Sequence, residues 1–142
     1  MPITWGELPK CIGNLSTTLT RLFLDKNKIS GKIPTEIGNL INLERLDICK
    51  NKLSGNIPSE IGKLKKLQYL SLSQNNFSRD IPKSLGNLTI FTHLYLYKNN
   101  LQGNIPLSLS KYRNLFSLDL ANNDLSGSIA PQVIGLSLSP VI

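Results

Sequence analysis

Apolar and polar residues alternate along this chain in a unit of constant length that recurs from end to end. In each unit, two leucine or isoleucine positions such as Leu46 and Ile48 alternate with polar residues, the period-two pattern of a short strand with one buried face. An asparagine comes three residues after the second apolar position, and its equal spacing marks the period: Asn27, Asn51, Asn75, Asn99 and Asn123. A period of this length, repeated five times, predicts a stacked solenoid whose strands form a parallel sheet.

The residues after each strand predict a bend and a return. The asparagine stands where the chain leaves the strand, and its amide can bond the backbone of the bend and of the adjoining turn, so the five form an asparagine ladder. A Ser-Gly-x-Ile-Pro segment follows in most units, where glycine permits the turn and proline limits pairing to a short edge segment. Pairs such as Ile37-Gly38 then begin a short helical or extended return, anchored by Leu40, Leu64 and Leu88.

The unit divides the chain into one partial, four complete and one degenerate repeat within a single domain, 1–142. The repeats are 1–18 (partial), 19–42, 43–66, 67–90, 91–114 and 115–142 (degenerate). In the last of these, Ala130 replaces the proline of the earlier repeats, and residues 135–142 no longer keep the leucine frame. We therefore expect the chain to stop inside a turn.

Composition suits small repeated layers, since 40% of residues are hydrophobic but only 6% are aromatic. The formal net charge of +7, from 16 Lys and Arg against 9 Asp and Glu, could favour an anionic partner such as nucleic acid, acidic polysaccharide or phospholipid. The lysines are scattered across the repeats, however, and lack the aromatic interleaving of nucleic-acid binders. We interpret the charge as solvated surface and expect no nucleic-acid partner.

Targeting signals, glycosylation sequons and cysteines indicate the cellular compartment of the chain. The first ten residues contain no apolar signal segment, and no stretch approaches the roughly 18 apolar residues of a membrane span, which indicates a cytosolic protein or a fragment. Three N-x-S/T sequons favour a secretory origin, because such sites carry surface glycans. These are Asn14, Asn76 and Asn87. Cys11 and Cys49 occupy different positions of the unit, so we predict two free thiols.

The unit LxxLxLxxNxLSGxIPxxIGxLxx resembles the plant-specific leucine-rich repeat over nearly the whole chain. Residues 8–34, LPKCIGNLSTTLTRLFLDKNKISGKIP, are similar to the ectodomains of plant leucine-rich-repeat receptor-like kinases of the innate-immunity type. The resemblance implies an α/β-type solenoid, a right-handed superhelix with short parallel strands on the concave face and short helical or 3-10 returns on the convex face. It also implies a chain that is secreted or exposed on the extracellular face of the plasma membrane, where it binds a peptide or protein ligand and recruits a co-receptor in plant defence signalling.

The chain departs from the receptor pattern in three ways. The flanking cysteine-pair caps are absent, Arg79 replaces the glycine of the third complete repeat, and there is no membrane helix or kinase domain. We therefore expect an internal slice of a receptor or the product of a truncated gene.

The side chains between the buried leucines are expected to point to the concave face, in columns about 4.7–4.9 Å apart. Aromatic and arginine side chains there are candidates, because these types most often dominate binding energy when desolvated. The predicted ligand-binding set is Arg21, Phe23, Arg45, Asp47, Tyr69, His93, Tyr95 and Tyr97. The competing interpretation is that these are ordinary exposed positions. It is stronger for Asp47, because aspartate commonly fills the place between two strand leucines.

No catalytic constellation is present in the sequence. It contains no Gly-rich phosphate loop and no kinase signature, so phosphoryl transfer is excluded for this chain. His93 lacks a nucleophile partner with a positioned acid, and two cysteines with one histidine in unrelated places make no zinc site. We predict no enzyme activity, no cofactor and no metal.

Two other functions remain open beside the receptor. A secreted inhibitor similar to polygalacturonase-inhibiting proteins would have flanking caps and a signal peptide. An ice-binding protein, also known among plant repeats of this type, would need a flat array of one or two residue types. The column at the bend is instead charged and only partly regular, namely Lys26, Lys50, Gln74, Lys98 and Asn122.

Overall fold

The computed structural model describes residues 6–112 and 114–126, and these form a solenoid with two parallel sheets. The first sheet, on the concave side, contains five three-residue strands in chain order. They are β1 (Arg21–Phe23), β3 (Arg45–Asp47), β5 (Tyr69–Ser71), β7 (His93–Tyr95) and β9 (Ser117–Asp119). The expectations for Ala130 and for the end of the last repeat lie outside the described residues.

A second parallel sheet follows the bend, where the sequence predicts only a short edge segment. Its strands are β2 (Ser30–Gly31), β4 (Lys52–Gly55), β6 (Asn76–Asp80), β8 (Asn100–Gly103) and β10 (Asp124–Leu125). Strands β2, β4, β6 and β8 each end before an Ile-Pro pair, because proline has no N–H to continue the ladder. The short segments therefore pair with their counterparts in neighbouring turns and form a sheet.

The two sheets differ in register. In the first sheet Leu46 pairs with Leu70, its counterpart one full repeat later. In the second sheet Ser54 pairs with Asn76, although its counterpart in the next repeat is Ser78. Homologous residues therefore stand directly side by side in the first sheet, and are displaced by two residues, about 6.6 Å along the strand, in the second.

Each return is a five-residue 3-10 helix that begins directly after a proline. The helices span Lys10–Asn14, Thr35–Asn39, Ser59–Lys63, Lys83–Asn87 and Leu107–Lys111. Glycine lets these helices stack closely, since a Cβ on Gly62 would lie 2.6 Å from the carbonyl oxygen of Ser84 in the next turn. The sequence left a helical and an extended form of the return open, and the structure has the helical form.

The core is a continuous column of leucine and isoleucine between the sheets and the 3-10 helices. Leu43, Leu67 and Leu70 are fully buried, and so are the larger rings of Phe77 and Phe91. In the last described return, Tyr112 takes the place of the anchoring leucine. It is buried, its hydroxyl donates to the carbonyl oxygen of Leu85, and burial raises its pKa.

From Asn51 onward, the asparagine ladder joins each turn to the one before it, whereas Asn27, among the described residues, bonds only the carbonyls of its own bend. Asn75 Nδ2 donates to the carbonyl oxygens of Leu72 at 3.1 Å and Ser73 at 3.3 Å, which close its own bend, and to that of Ile48 at 3.0 Å in the preceding turn. Its Oδ1 accepts the backbone N–H of Leu53 at 3.0 Å. Asn51 and Asn123 make the same four kinds of bond to equivalent groups.

The residue before each ladder asparagine has a left-handed backbone conformation. The φ values are 57° at Lys26, 55° at Lys50, 56° at Gln74, 57° at Lys98 and 56° at Asn122. A left-handed conformation costs a non-glycine residue about 1–2 kcal/mol. The asparagine bonds hold the bend in that conformation at every turn.

Arg79 also has a left-handed backbone conformation, at the position of the repeat that glycine occupies elsewhere. Its φ of 65° is close to the 76°, 77° and 73° of Gly31, Gly55 and Gly103 at the same place in the other repeats. The departure from the repeat pattern at Arg79 therefore changes the side chain and leaves the turn in place.

We predict that Asn75→Ala lowers the free energy of unfolding by about 1–3 kcal/mol, because it leaves buried carbonyls and one buried N–H without a partner. Chemical denaturation followed by circular dichroism measures the change. The matched control is Asn76→Ala, at an exposed neighbour, which should change stability by less than about 0.5 kcal/mol. Equal effects of the two substitutions would contradict the role of the ladder.

Candidate ligand-binding face

The side chains of the concave sheet stand in aligned columns because its register pairs each residue with its counterpart in the next repeat. In the first column Arg45 lies between Arg21 and Tyr69, and in the second Ser71 lies between Asp47 and Tyr95. Neighbouring side chains in a column can therefore touch. Ser71, Ser73 and Ser117 are small enough to be buried beneath their larger neighbours.

Four rings and one guanidinium form what we call the aromatic cluster: Arg45, Tyr69, His93, Tyr95 and Phe116. The ring centroid of Tyr69 lies 5.8 Å from that of His93 and 5.6 Å from that of Tyr95, the latter in an edge-on arrangement. His93 also lies 6.0 Å from Tyr95 and 5.5 Å from Phe116. The Arg45 guanidinium stands 4.6 Å above the Tyr69 ring, within the range of a cation–π contact.

Phe116 was missed by the sequence reasoning. Its side chain is 72% exposed, the most exposed of the large hydrophobic residues described. It stands one place before strand β9, in a column that is otherwise polar. The other members of this column are Thr20, Glu44, Gln68 and Thr92. An aromatic residue in an otherwise polar column is the signal that could have found it.

Four predicted residues lie outside the aromatic cluster. Arg21 and Phe23 are exposed on β1, where Phe23 keeps 53% of its surface. Tyr97 is half-buried, one column nearer the bend. Asp47 Oδ1 accepts the backbone N–H of Cys49 at 3.1 Å, a local bond that favours a structural role for this carboxylate.

A cleft of about 190 Å³ opens at the edge of the aromatic cluster. It is lined by Arg45, Gln68, Tyr69, Thr92 and His93. The cleft combines a cation, two hydrogen-bonding side chains and two ring faces. This combination suits a peptide side chain or backbone segment better than a purely apolar ligand.

Burial and nearby charges shift the pKa values of three side chains on this face. The pKa of His93 is lowered, first by burial and then by the positive charge of Arg45. Burial, followed by the negative charge of Asp47, raises the pKa of Tyr69. The pKa of Cys49 is raised to about 11, mainly by burial and then by Asp47, so this thiol is protonated and a poor nucleophile at neutral pH.

The remaining predicted residues lie apart from this face or carry no site chemistry. The sequon asparagines Asn14, Asn76 and Asn87 are all exposed. Cys11 and Cys49 are both free thiols. Within 6–112 and 114–126 there is no group of three or more His, Cys, Asp or Glu residues that could hold a metal ion. No helix in those two ranges is long and apolar enough to cross a membrane.

We predict that Arg45→Gln raises the pKa of His93 toward its ordinary value, because one of its two causes is removed. The chain has one histidine, so an NMR titration follows it directly. Because the folded-state pKa is lowered, the stabilisation from neutral His93 is fully present above the unfolded pKa of about 6.5 and is lost as the pH falls through the folded pKa. Arg21→Gln, on a strand that does not adjoin that of His93, is the control. An unchanged or lower pKa in Arg45→Gln would contradict the assigned cause.

The sequence of the chain is similar to those of plant receptor kinases. Residues 9–135 match the family described as leucine-rich repeat region. The chain is 67% identical over 39 residues to the LRR receptor-like serine/threonine-protein kinase EFR of Arabidopsis thaliana, and 59% identical over 39 residues to the receptor kinase-like protein Xa21 of Oryza sativa subsp. japonica. Each match covers 28% of this chain and only 4% of the curated relative.

Solved structures of receptor ectodomains share the fold. The LRR ectodomain of the Arabidopsis thaliana membrane receptor kinase GASSHO1/SCHENGEN3 has a TM-score of 0.91 at 36% identity, covering 96% of this chain and 16% of that one. The Arabidopsis receptor kinase HAESA, solved with the peptide hormone IDA and the co-receptor SERK1, has a TM-score of 0.87 at 41% identity, covering 96% and 24%. A plant ice-binding protein has a TM-score of 0.68 at 38% identity, covering 75% and 34%.

Proposed function

The chain belongs to the leucine-rich-repeat family, and from this premise we propose that it recognises a peptide or protein ligand on its concave face. The aromatic cluster is the observation that carries the proposal. It concentrates a guanidinium and four rings on one side of a rigid sheet, and these side-chain types dominate many binding interfaces. The ligand would gain apolar contact with the rings and hydrogen bonds in the adjoining cleft.

The proposed mechanism is rigid presentation without catalysis. The rings contact one another and are held on strands joined by a regular backbone ladder, so little side-chain freedom remains to be lost on binding. His93 Nδ1 and Thr92 Oγ1 form a hydrogen bond of 2.9 Å, and the imidazole ring packs against the rings of Tyr69, Tyr95 and Phe116. That environment suits a binding residue rather than a general base.

The parent of this chain is proposed to be a plant cell-surface receptor kinase with a role in immunity or signalling. The chain would be one domain of its ectodomain, on the extracellular face of the plasma membrane or secreted. The similarity to EFR and Xa21 supports this parentage, and the exposed sequons Asn14, Asn76 and Asn87 suit an extracellular chain. A co-receptor is the proposed second partner, by analogy with the HAESA complex.

Ice binding is the alternative that a structural neighbour brings forward. Ice recognition requires a flat and regular array, whereas the rings of the concave face are tilted and the bend carries lysines. Thermal hysteresis of a solution of the chain would support ice binding against ligand recognition. The polygalacturonase-inhibitor alternative predicts inhibition of a fungal polygalacturonase by the same chain.

We predict that Tyr95→Ala weakens binding of a concave-face peptide by more than about 1 kcal/mol, roughly fivefold in Kd, as expected of a central anchor. The probe is the tightest peptide selected from a random displayed library on the immobilised chain. Isothermal titration calorimetry gives its Kd for each variant. Phe116→Ala should have an effect in the same direction, since its ring completes the aromatic cluster.

The matched control for these variants is Leu107→Ala. Leu107 is a large hydrophobic residue, 56% exposed on the 3-10 helix Leu107–Lys111, on the opposite side of the turn from the concave columns. Its substitution should leave the affinity for the peptide unchanged. If both concave variants keep their thermal melts and bind the peptide as the unmodified chain does, the aromatic cluster is not the binding site.

A further inference from the structure

A second surface, separate from the aromatic cluster, runs along the bends between the two sheets. We call it the bend ridge. It consists of the residues on either side of each ladder asparagine: Lys26, Lys28, Lys50, Lys52, Gln74, Asn76, Lys98, Asn100, Asn122 and Asp124. All are exposed except Gln74, which is half-buried. Five are lysines, five are neutral or acidic, and only Asp124 is an acid.

The backbone holds this ridge in regular rungs. Lys26 N–H donates to the carbonyl oxygen of Cys49 at 2.9 Å, and Lys50 N–H to that of Ser73 at 3.0 Å, so the first column continues the spacing of the concave sheet. Five rungs at about 4.8 Å span about 19 Å. The ladder asparagine beneath each rung fixes the direction in which the flanking side chains leave the bend.

The lysines of the ridge lie without carboxylate partners in the part of the chain that the structure describes. Lys26, Lys28, Lys50 and Lys52 occupy two adjacent rungs, so four like charges repel one another there. Binding of an anionic chain would relieve this repulsion.

The following rungs form a polar groove. A cleft of about 340 Å³ is lined by one lysine and six amide side chains: Asn51, Gln74, Asn75, Asn76, Lys98, Asn99 and Asn100. Asn51, Asn75 and Asn99 belong to the asparagine ladder, and their amides already bond the backbone. The other three amides, Gln74, Asn76 and Asn100, offer both donors and acceptors, which pair well with hydroxyl groups. The ridge has no aromatic residue on which a base could stack, and stacking is a main source of affinity for single-stranded nucleic acids.

We propose that the bend ridge binds a linear carboxylated polysaccharide. The carboxylates lie against the lysines of the first two rungs and Lys98, and the sugar hydroxyls face the amides of Gln74, Asn76 and Asn100. A chain of repeating acidic sugars matches a surface of repeating rungs, so several weak contacts add along the ridge. This site does not depend on the ligand proposed for the aromatic cluster.

The test measures binding of an oligogalacturonate of about ten units, long enough to span the ridge. The protein is the full 142-residue chain made in bacteria, which leaves Asn76, a sequon asparagine on the ridge, without a glycan. The ridge variant carries Lys26→Gln, Lys28→Gln, Lys50→Gln and Lys52→Gln. Glutamine is compatible with the left-handed bend, because Gln74 already adopts it with a φ of 56°.

The control variant removes the same number of charges from the other side of the solenoid: Lys10→Gln, Lys63→Gln, Lys83→Gln and Lys111→Gln. All four lysines are exposed on 3-10 helices. We expect the ridge variant to bind the oligogalacturonate at least about tenfold more weakly than the unmodified chain, and the control variant to lose no more than about twofold. Affinity of the unmodified chain should fall when salt is raised from about 50 to about 300 mM.

Four results would overturn the proposal. The first is no binding of the oligogalacturonate by the unmodified chain at low salt. The second is an equal loss of affinity in both variants, which would show that binding depends only on the net charge of the chain. The third is binding of single-stranded DNA or anionic vesicles as tight as that of the oligogalacturonate. The fourth is equally tight binding of the fully methyl-esterified oligomer. Thermal melts of both variants establish that they are folded.

Discussion

The bond between each ladder asparagine and the backbone is the interaction on which the rest of this structure depends. Asn75 closes its own bend and reaches the carbonyl of Ile48 and the N–H of Leu53 in the preceding turn. Without it, a left-handed bend would leave backbone groups unpaired in a buried place. Because the same bond recurs in each turn, consecutive turns stack in one register.

This constraint separates the positions that carry the fold from those that are free to carry function. The leucine column is buried and the ladder asparagines are buried or half-buried, so their identities follow from packing and from their bonds to the backbone. The side chains between them emerge at regular intervals on two surfaces, the concave sheet and the bend ridge. The first bears contacting rings and a guanidinium, and the second bears lysines and amides. One repeating backbone thus presents two chemically different arrays.

The two arrays differ in how their neighbours meet. In the concave sheet each residue pairs with its counterpart in the next repeat, so Tyr69 and His93 stand side by side and their rings touch. In the second sheet the register falls two residues short of the repeat, as in the pairing of Ser54 with Asn76. From Lys52 onward, the second column of the bend ridge begins these strands, so its side chains are staggered from turn to turn, whereas the first column keeps the spacing of the concave sheet.

The sequence by itself determined the solenoid, the concave strands and the asparagine ladder, because a strict repeat period places each residue type in a repeated environment. It left the form of the return undecided, and it missed both the second sheet and its two-residue stagger, which arise from pairing between turns. The same holds for the site. Tyr69, His93 and Tyr95 could be named from alternation, whereas the contact of His93 with Phe116 and the local bond of Asp47 depend on side-chain directions in three dimensions. Period and burial are local properties of a repeat, and contacts between turns are decided only when the turns stack.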